Sequence, residues 1–151
     1  MSDAVDARRH WMSKLACAQV PVLENAWAAI ADKPTYRLVR GPEIGLAMLR
    51  GRAGGTGMRF NLGEMTMTRA VAQLADGTLG FGFIAGRAPR HAELAAVFDG
   101  MLQDPARYDG LAGTVIAALD EILHARRADA AAKAAATRVE FFTLVRGEDR
   151  A

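Results

Sequence analysis

Apolar residues recur along this chain with two different periods, and the switch between them marks out its elements. Ser2 or Asp3 can cap a first helix that carries Trp11, Met12 and Leu15 on one stripe. Pro21 suits the opening turn of a second helix, where Leu23, Ala26, Trp27 and Ile30 fall at i, i+3, i+4 and i+7. Lys33-Pro34 stops it, because the residue before proline is driven away from helical angles. The period then shortens. Residues 35–40 alternate, Gly41-Pro42 is expected to turn the chain, and residues 46–52 read as a second strand. After a glycine-rich interruption, residues 64–74 and 78–85 are strands again, joined by Asp76-Gly77, a strong hairpin signal.

Taking Asp76-Gly77 as a two-residue loop fixes a register. Leu74 then faces Leu79, Ala72 faces Phe81 and Ala70 faces Phe83, a large-on-small pattern that reads as core. The opposite face pairs Gln73 with Gly80, Val71 with Gly82 and Arg69 with Ile84, leaving a nearly bare surface under Arg69. Strand glycine often marks close backbone approach, so a helix packed onto that face is the first reading and an open contact surface the second.

The helical period returns at Pro89, with His91, Ala95, Phe98 and Leu102 on one face and Asp104-Pro105 as the stop. Residues 114–119 fit a short strand or the first turns of a helix. Residues 120–137 are helical in composition, with Asp129 and Lys133 set for an i, i+4 pair. The last element, residues 139–145 (VEFFTLV), is apolar and β-favouring on both faces and has to be covered by the fold or by another chain. With no repeat or linker, residues 1–151 read as a single α+β domain: an antiparallel sheet of four to five strands with flanking helices.

Composition adds little to this. A net charge of +2 is too small to predict nucleic-acid or membrane binding. Of the 19 basic residues only Lys14, Lys33 and Lys133 are lysine. The rest are arginine, whose planar fork suits phosphate and carboxylate, although a GC-rich genome produces the same bias. Cys17 is the single cysteine, which rules out an internal disulfide and a thiolate zinc cluster. The acidic start lacks the apolar core of a signal peptide, and no apolar run approaches the ~20 residues of a membrane span. A cytoplasmic protein is expected, with no metal and no intrinsic cofactor.

Candidate chemistry centres on residues 52–60, RAGGTGMRF. Successive N–H groups in a turn through Gly54, Gly55, Thr56 and Gly57 can form an anion-binding concavity flanked by Arg52 and Arg59. It lacks the terminal Gly-Lys-Ser/Thr of a P-loop and is not a dinucleotide fingerprint, and a bulge or hairpin bend is the plainer reading of the glycines. His91 could serve as a base, but its apolar stripe suggests a hydrogen-bonded core histidine. The residues alone show no self-sufficient catalytic set.

Several segments, in order, resemble the PhnG family of carbon–phosphorus lyase systems. They are RRHWMSKLA (8–16), RAGGTGMRFNLGEMTMTRA (52–70), DGTLGFGFIAGR (76–87) followed by HAE (91–93), and RVEFFTLVRG (138–147). The resemblance implies a core-complex subunit assembled with PhnH, PhnI and PhnJ. That complex, in this family, uses ATP and a phosphonate to make a ribose 1-phosphonate 5-triphosphate and release adenine, with the nucleosidase chemistry usually given to PhnI. Arg52, Arg59 and Arg69 are then candidates to act on anionic substrates from a neighbouring chain. The tail residues Phe141, Phe142, Val145 and Arg146 become candidate partner contacts. The alternatives are a purely structural subunit and a module that binds nucleotide or nucleic acid by itself.

Overall fold

A computed structural model describes residues 2–52 and 56–137, with side chains from residue 4. Gly54, Gly55 and the tail candidates Phe141, Phe142, Val145 and Arg146 lie outside the described residues. In chain order the elements are α1 (Ser2–Cys17), α2 (Val20–Ala29), β1 (Tyr36–Arg52), β2 (Arg59–Leu74), β3 (Leu79–Ala85), α3 (Pro89–Leu102), α4 (Pro105–Leu111), a π-helical turn (Ala112–Ile116) and α5 (Ala117–Ala136). The sheet is antiparallel in the order β1-β2-β3. No helix among the described residues is long and apolar enough to cross a membrane.

The two leading helices form where the periodicity places them. Trp11 and Leu15 of α1 and Leu23 of α2 are buried, while Met12, Ala26, Trp27 and Ile30 pack half-buried on the same core. Trp27 meets both Tyr36 and Phe98 edge-on, with ring centroids 6.0 and 6.3 Å apart. Lys33 closes α2 by donating to the carbonyls of Ala28 and Ile30 at 3.1 and 2.6 Å. Its ammonium also sits over the Trp27 ring. Residues 114–119, which left strand and helix open, are helical: they span the π-helical turn and the start of α5. Asp104 does end α3, and then caps α4 by accepting the Ala106 N–H at 2.9 Å.

The sheet departs from the sequence reading in two ways. The expected turn at Gly41-Pro42 is absent: residues 36–52 run as one strand, with register shifts on either side of Arg40. The extra residues are absorbed as bulges. An edge strand tolerates proline at a bulge because no ladder hydrogen bond has to be donated there. Two expected strands therefore fuse, and among the described residues three strands stand where four to five were expected, the fifth candidate lying outside them.

The β2–β3 register is also one residue away from the expected one. The loop has three residues, Ala75, Asp76 and Gly77. Gly77 N–H donates to the Leu74 carbonyl at 3.0 Å, and Leu74 N–H to the Thr78 carbonyl at 2.9 Å. Gly77 takes a left-handed φ of 91°, the geometry of a type I turn followed by a glycine bulge. Ala72 thus faces Gly80, Ala70 faces Gly82 and Thr68 faces Ile84, so small residues from both strands share one face. Phe81 and Phe83, expected in the core, lie on the other face beside Val71 and Arg69.

The small-residue face seats α3. A Cβ added to Gly80 would lie 1.9 Å from the Ala96 carbonyl oxygen, and one on Gly82 would lie 2.1 Å from that of Ala92. Backbone therefore rests on backbone, and the helix-on-glycine reading holds. The bare surface expected under Arg69 is covered, and Arg69 itself projects from the opposite side. Almost the whole of α3 is buried, including Leu94, Val97, Phe98, Met101 and Leu102.

Candidate functional site

β3 pairs with β2 only from Met67 to Gln73, whereas β1 and β2 stay paired out to Arg52 and Arg59. Beyond the reach of β3 and α3 the sheet is therefore a two-stranded arm. Among the described residues its apolar side chains stand largely exposed. On the face that α3 occupies further down, Ile44, Leu46 and Met48 stand opposite Thr68, Thr66 and Glu64, and Leu46 is 67% exposed. Leu49, Phe60 and Leu62 are exposed as well, and Met58 near the tip is 92% exposed. Two strands alone are marginal in water, and exposed apolar clusters of this kind mark interaction surfaces.

The arm ends in positive charge. Arg52 and Arg59 are direct cross-strand partners, and Arg50, two residues before Arg52, lies on the same face. All three are exposed, and none forms a hydrogen bond or ion pair among the described residues. Like charges set directly opposite each other in a ladder are destabilising, so the arrangement suits an anion from outside the chain. Thr56 is exposed and Gly57 half-buried in the turn between the strands.

The other sequence candidates do not join them. Arg69 sits further down β2 and pairs with its cross-strand neighbour Glu43 at 3.0 Å, which also holds Arg40 at 3.2 Å. His91 is buried, and its Nε2–H donates to the Leu15 carbonyl at 2.7 Å, a core histidine tying α3 to α1. Beside it in α3, Glu93 accepts from the Tyr36 hydroxyl at 2.8 Å and pairs with Arg90 at 3.1 Å. Burial foremost, and then that carboxylate, raise the Tyr36 hydroxyl above its ordinary pKa of 10.0. Among the described residues no group of three His, Cys, Asp or Glu side chains is placed to hold a metal ion.

A residue that sequence reasoning passed over proves central to the scaffold. Asp99 of α3 is fully buried and accepts four hydrogen bonds: Arg8 Nε at 3.1 Å, Arg8 Nη2 at 2.6 Å, Trp11 Nε1 at 2.9 Å and the Phe81 backbone N–H at 2.9 Å. The signal was present, because Asp99 lies four residues after Ala95 on the stripe read as core, and a carboxylate there requires partners. The groove of about 660 Å³ between α1 and α4 is lined by Val5, Arg8, Trp11, Leu102 and Tyr108. It is a weaker site than the arm, since its arginine is already committed to Asp99.

Fold and surface together define an α+β protein with an exposed apolar arm tipped with arginine. The family model for the phosphonate metabolism protein PhnG matches residues 6–147, and the chain belongs to this family. It is 47% identical over 148 residues to the alpha-D-ribose 1-methylphosphonate 5-triphosphate synthase subunit PhnG of Rhizobium meliloti (strain 1021), covering 96% of this chain and 92% of that protein.

Proposed function

We propose that this chain is a subunit of an α-D-ribose 1-methylphosphonate 5-triphosphate synthase and acts within an assembly that includes PhnH, PhnI and PhnJ. In that reaction the bond from the ribose anomeric carbon of ATP to adenine breaks, a phosphonate oxygen takes adenine's place, and adenine leaves with a proton. The observation that carries the reading is the 47% identity to a synthase subunit across nearly the full length of both chains. The exposed arm supports it, because an apolar surface of that extent suits burial against a neighbour.

Within the assembly, Arg52 and Arg59 contribute positive charge towards the triphosphate and the phosphonate. Both substrates are anionic, and holding them still and oriented lowers the barrier to attack at the anomeric carbon. The support is the direct cross-strand pairing of the two arginines, exposed and unpaired among the described residues, at the end of the arm. Arg69, held by Glu43, is left as a structural pair.

The test is co-expression with the other synthase subunits, purification through a tag on this chain, and assay of adenine release from ATP and methylphosphonate. The assembled complex should release adenine and the isolated chain should not. The double variant Arg52→Ala/Arg59→Ala should assemble normally and lose about tenfold or more in turnover, the scale of one or two charge-assisted phosphate contacts. Wild-type turnover in the assembled variant would rule out the arginine role. Loss of assembly in step with activity would make these arginines interface residues only.

A further inference from the structure

The two edges of the sheet are treated differently. The edge of β3 is guarded at two of its outward backbone groups: Asp99 accepts the Phe81 N–H at 2.9 Å, and Gln103 Nε2 donates to the Leu79 carbonyl at 2.9 Å. Edge strands left with unpaired backbone groups are templates for another strand, and side-chain caps of this kind block them. The edge of β1 has no such guard along the arm. Residues 43–49 keep unbroken register with β2, from Glu43 opposite Arg69 to Leu49 opposite Gly63, and among the described residues no helix or loop caps their outer side. The bulges around Arg40 interrupt the edge on one side of this stretch, and a register shift after Leu49 interrupts it on the other.

We infer that this free edge, residues 43–49 of β1, takes up an extended segment of another subunit of the synthase, apolar at alternate positions and carrying a carboxylate where it passes Arg50. The inference rests on the subunit reading above. Strand addition supplies the missing backbone partners, and the side chains on either side set specificity. On the face shared with α3, the outer strand offers the large exposed side chains of Ile44, Leu46 and Met48. On the other face Gly45 and Ala47 are small. An added strand therefore gains most of its apolar contact on the first face, with Leu49 alone adding a large side chain to the second, which calls for alternation in the segment that binds. At the end of the stretch Arg50 is exposed with no acidic partner among the described residues, and a carboxylate there completes the charge.

Charge also disfavours a second copy of this chain as the occupant. Two copies pairing antiparallel about Leu46 would bring the Arg50 and Arg52 end of one towards the Arg40 end of the other. The nearby Glu43 already serves Arg40 and Arg69. Base would meet base at both ends of the pair.

Two measurements on the co-expressed complex decide the matter. Amide hydrogen exchange of the wild-type chain should slow by about tenfold or more over residues 43–49 in the complex relative to the free chain, as expected for new backbone hydrogen bonds. The variant Leu46→Asp/Met48→Asp changes two exposed side chains and should cut recovery of the other subunits through the tagged chain by about tenfold, as loss of a central apolar contact does. The milder Leu46→Ser/Met48→Ser should weaken recovery in the same direction, and Ala130→Asp, an exposed position on α5, should not. Unchanged exchange over residues 43–49 in an intact complex overturns the inference, as does normal recovery with both arm variants. Protection of the same amides in a dimer of this chain alone assigns the edge to a second copy and overturns it too. If the wild-type chain recovers no synthase subunit, the function itself fails, a result distinct from all of these.

Discussion

Asp99 shows how much one side chain can organise. It joins α1, α3 and β3 by accepting from Arg8, Trp11 and the Phe81 N–H, and it is fully buried while the Arg8 side chain stays one-third exposed. Burying a carboxylate costs several kcal/mol unless its lone pairs are filled, and here all four bonds are made. Removing the acid strands two buried donors as well as a guanidinium. Asp99→Ala should therefore destabilise the chain by about 3–5 kcal/mol, read as a lower urea midpoint. Asp99→Asn should also destabilise, because its amide nitrogen would face a donor where the carboxylate had an acceptor. A midpoint unchanged by Asp99→Ala would mean that the network contributes geometry without stability. The need for partners was legible in the sequence, since an acid stood on an apolar stripe. Their identity was not, because Arg8 and Trp11 lie 91 and 88 residues away.

At the scale of elements, α3 rests on β3 backbone to backbone. The carbonyls of Ala92 and Ala96 occupy the space that side chains at Gly82 and Gly80 would fill. A methyl group at Gly82 has no flexible neighbour to displace, so the helix must lift from the sheet. Gly82→Ala should cost about 3 kcal/mol, at the upper end for overpacking. Gly45→Ala, on the arm with nothing within 4 Å of the added Cβ, should stay within about 0.5 kcal/mol. Chemical denaturation of the two variants side by side checks the contrast, and equal costs would show that α3 adjusts freely. The glycines announced this helix seat in the sequence even though the register assigned to them was off by one. Asp76-Gly77 admits both a two-residue loop and the three-residue loop observed, and the choice between them shifts every pair by one and turns each β3 side chain to the other face of the sheet, which is why Gly80 and Gly82, not Phe81 and Phe83, share a face with Ala72 and Ala70. Gly41-Pro42 misled for a related reason. Turn residues also serve bulges on an edge strand, and only the partner strand reveals which use is made of them.

Over the whole molecule, local pattern located α1, α2, α3 and α5 but not the short α4, and the arm could not be read because its exposure depends on where β3 and α3 stop. Alternation in residues 43–49 looks the same whether a third layer covers it or not. What holds the helices around the sheet is likewise long-range: α1 is tied to α3 through Asp99 and to α5 through Asp120, which pairs with Lys14 and lies 3.2 Å from His10 Nε2. The Lys14 hydrogen bond foremost, partly opposed by desolvation, holds the Asp120 carboxyl below its ordinary value of 3.8. A carboxylate with a depressed folded-state pKa adds stability above the unfolded value and loses it as pH falls through the folded one. The α1–α5 tie should therefore be complete at neutral pH and weaken only below 3.8. Asp120 is partly exposed, so the pair is worth about 0.5 kcal/mol after solvent screening, or about 1–2 °C in melting temperature for a chain of this size. Asp120→Asn should melt that much below wild type at pH 7, with the gap narrowing as pH falls below 3.8, because protonation then turns the wild-type side chain into a neutral group too. Melts at a series of pH values from 7 to 3 measure this, and a gap that stays constant into acid would show that Asp120 holds α5 by shape and not by charge.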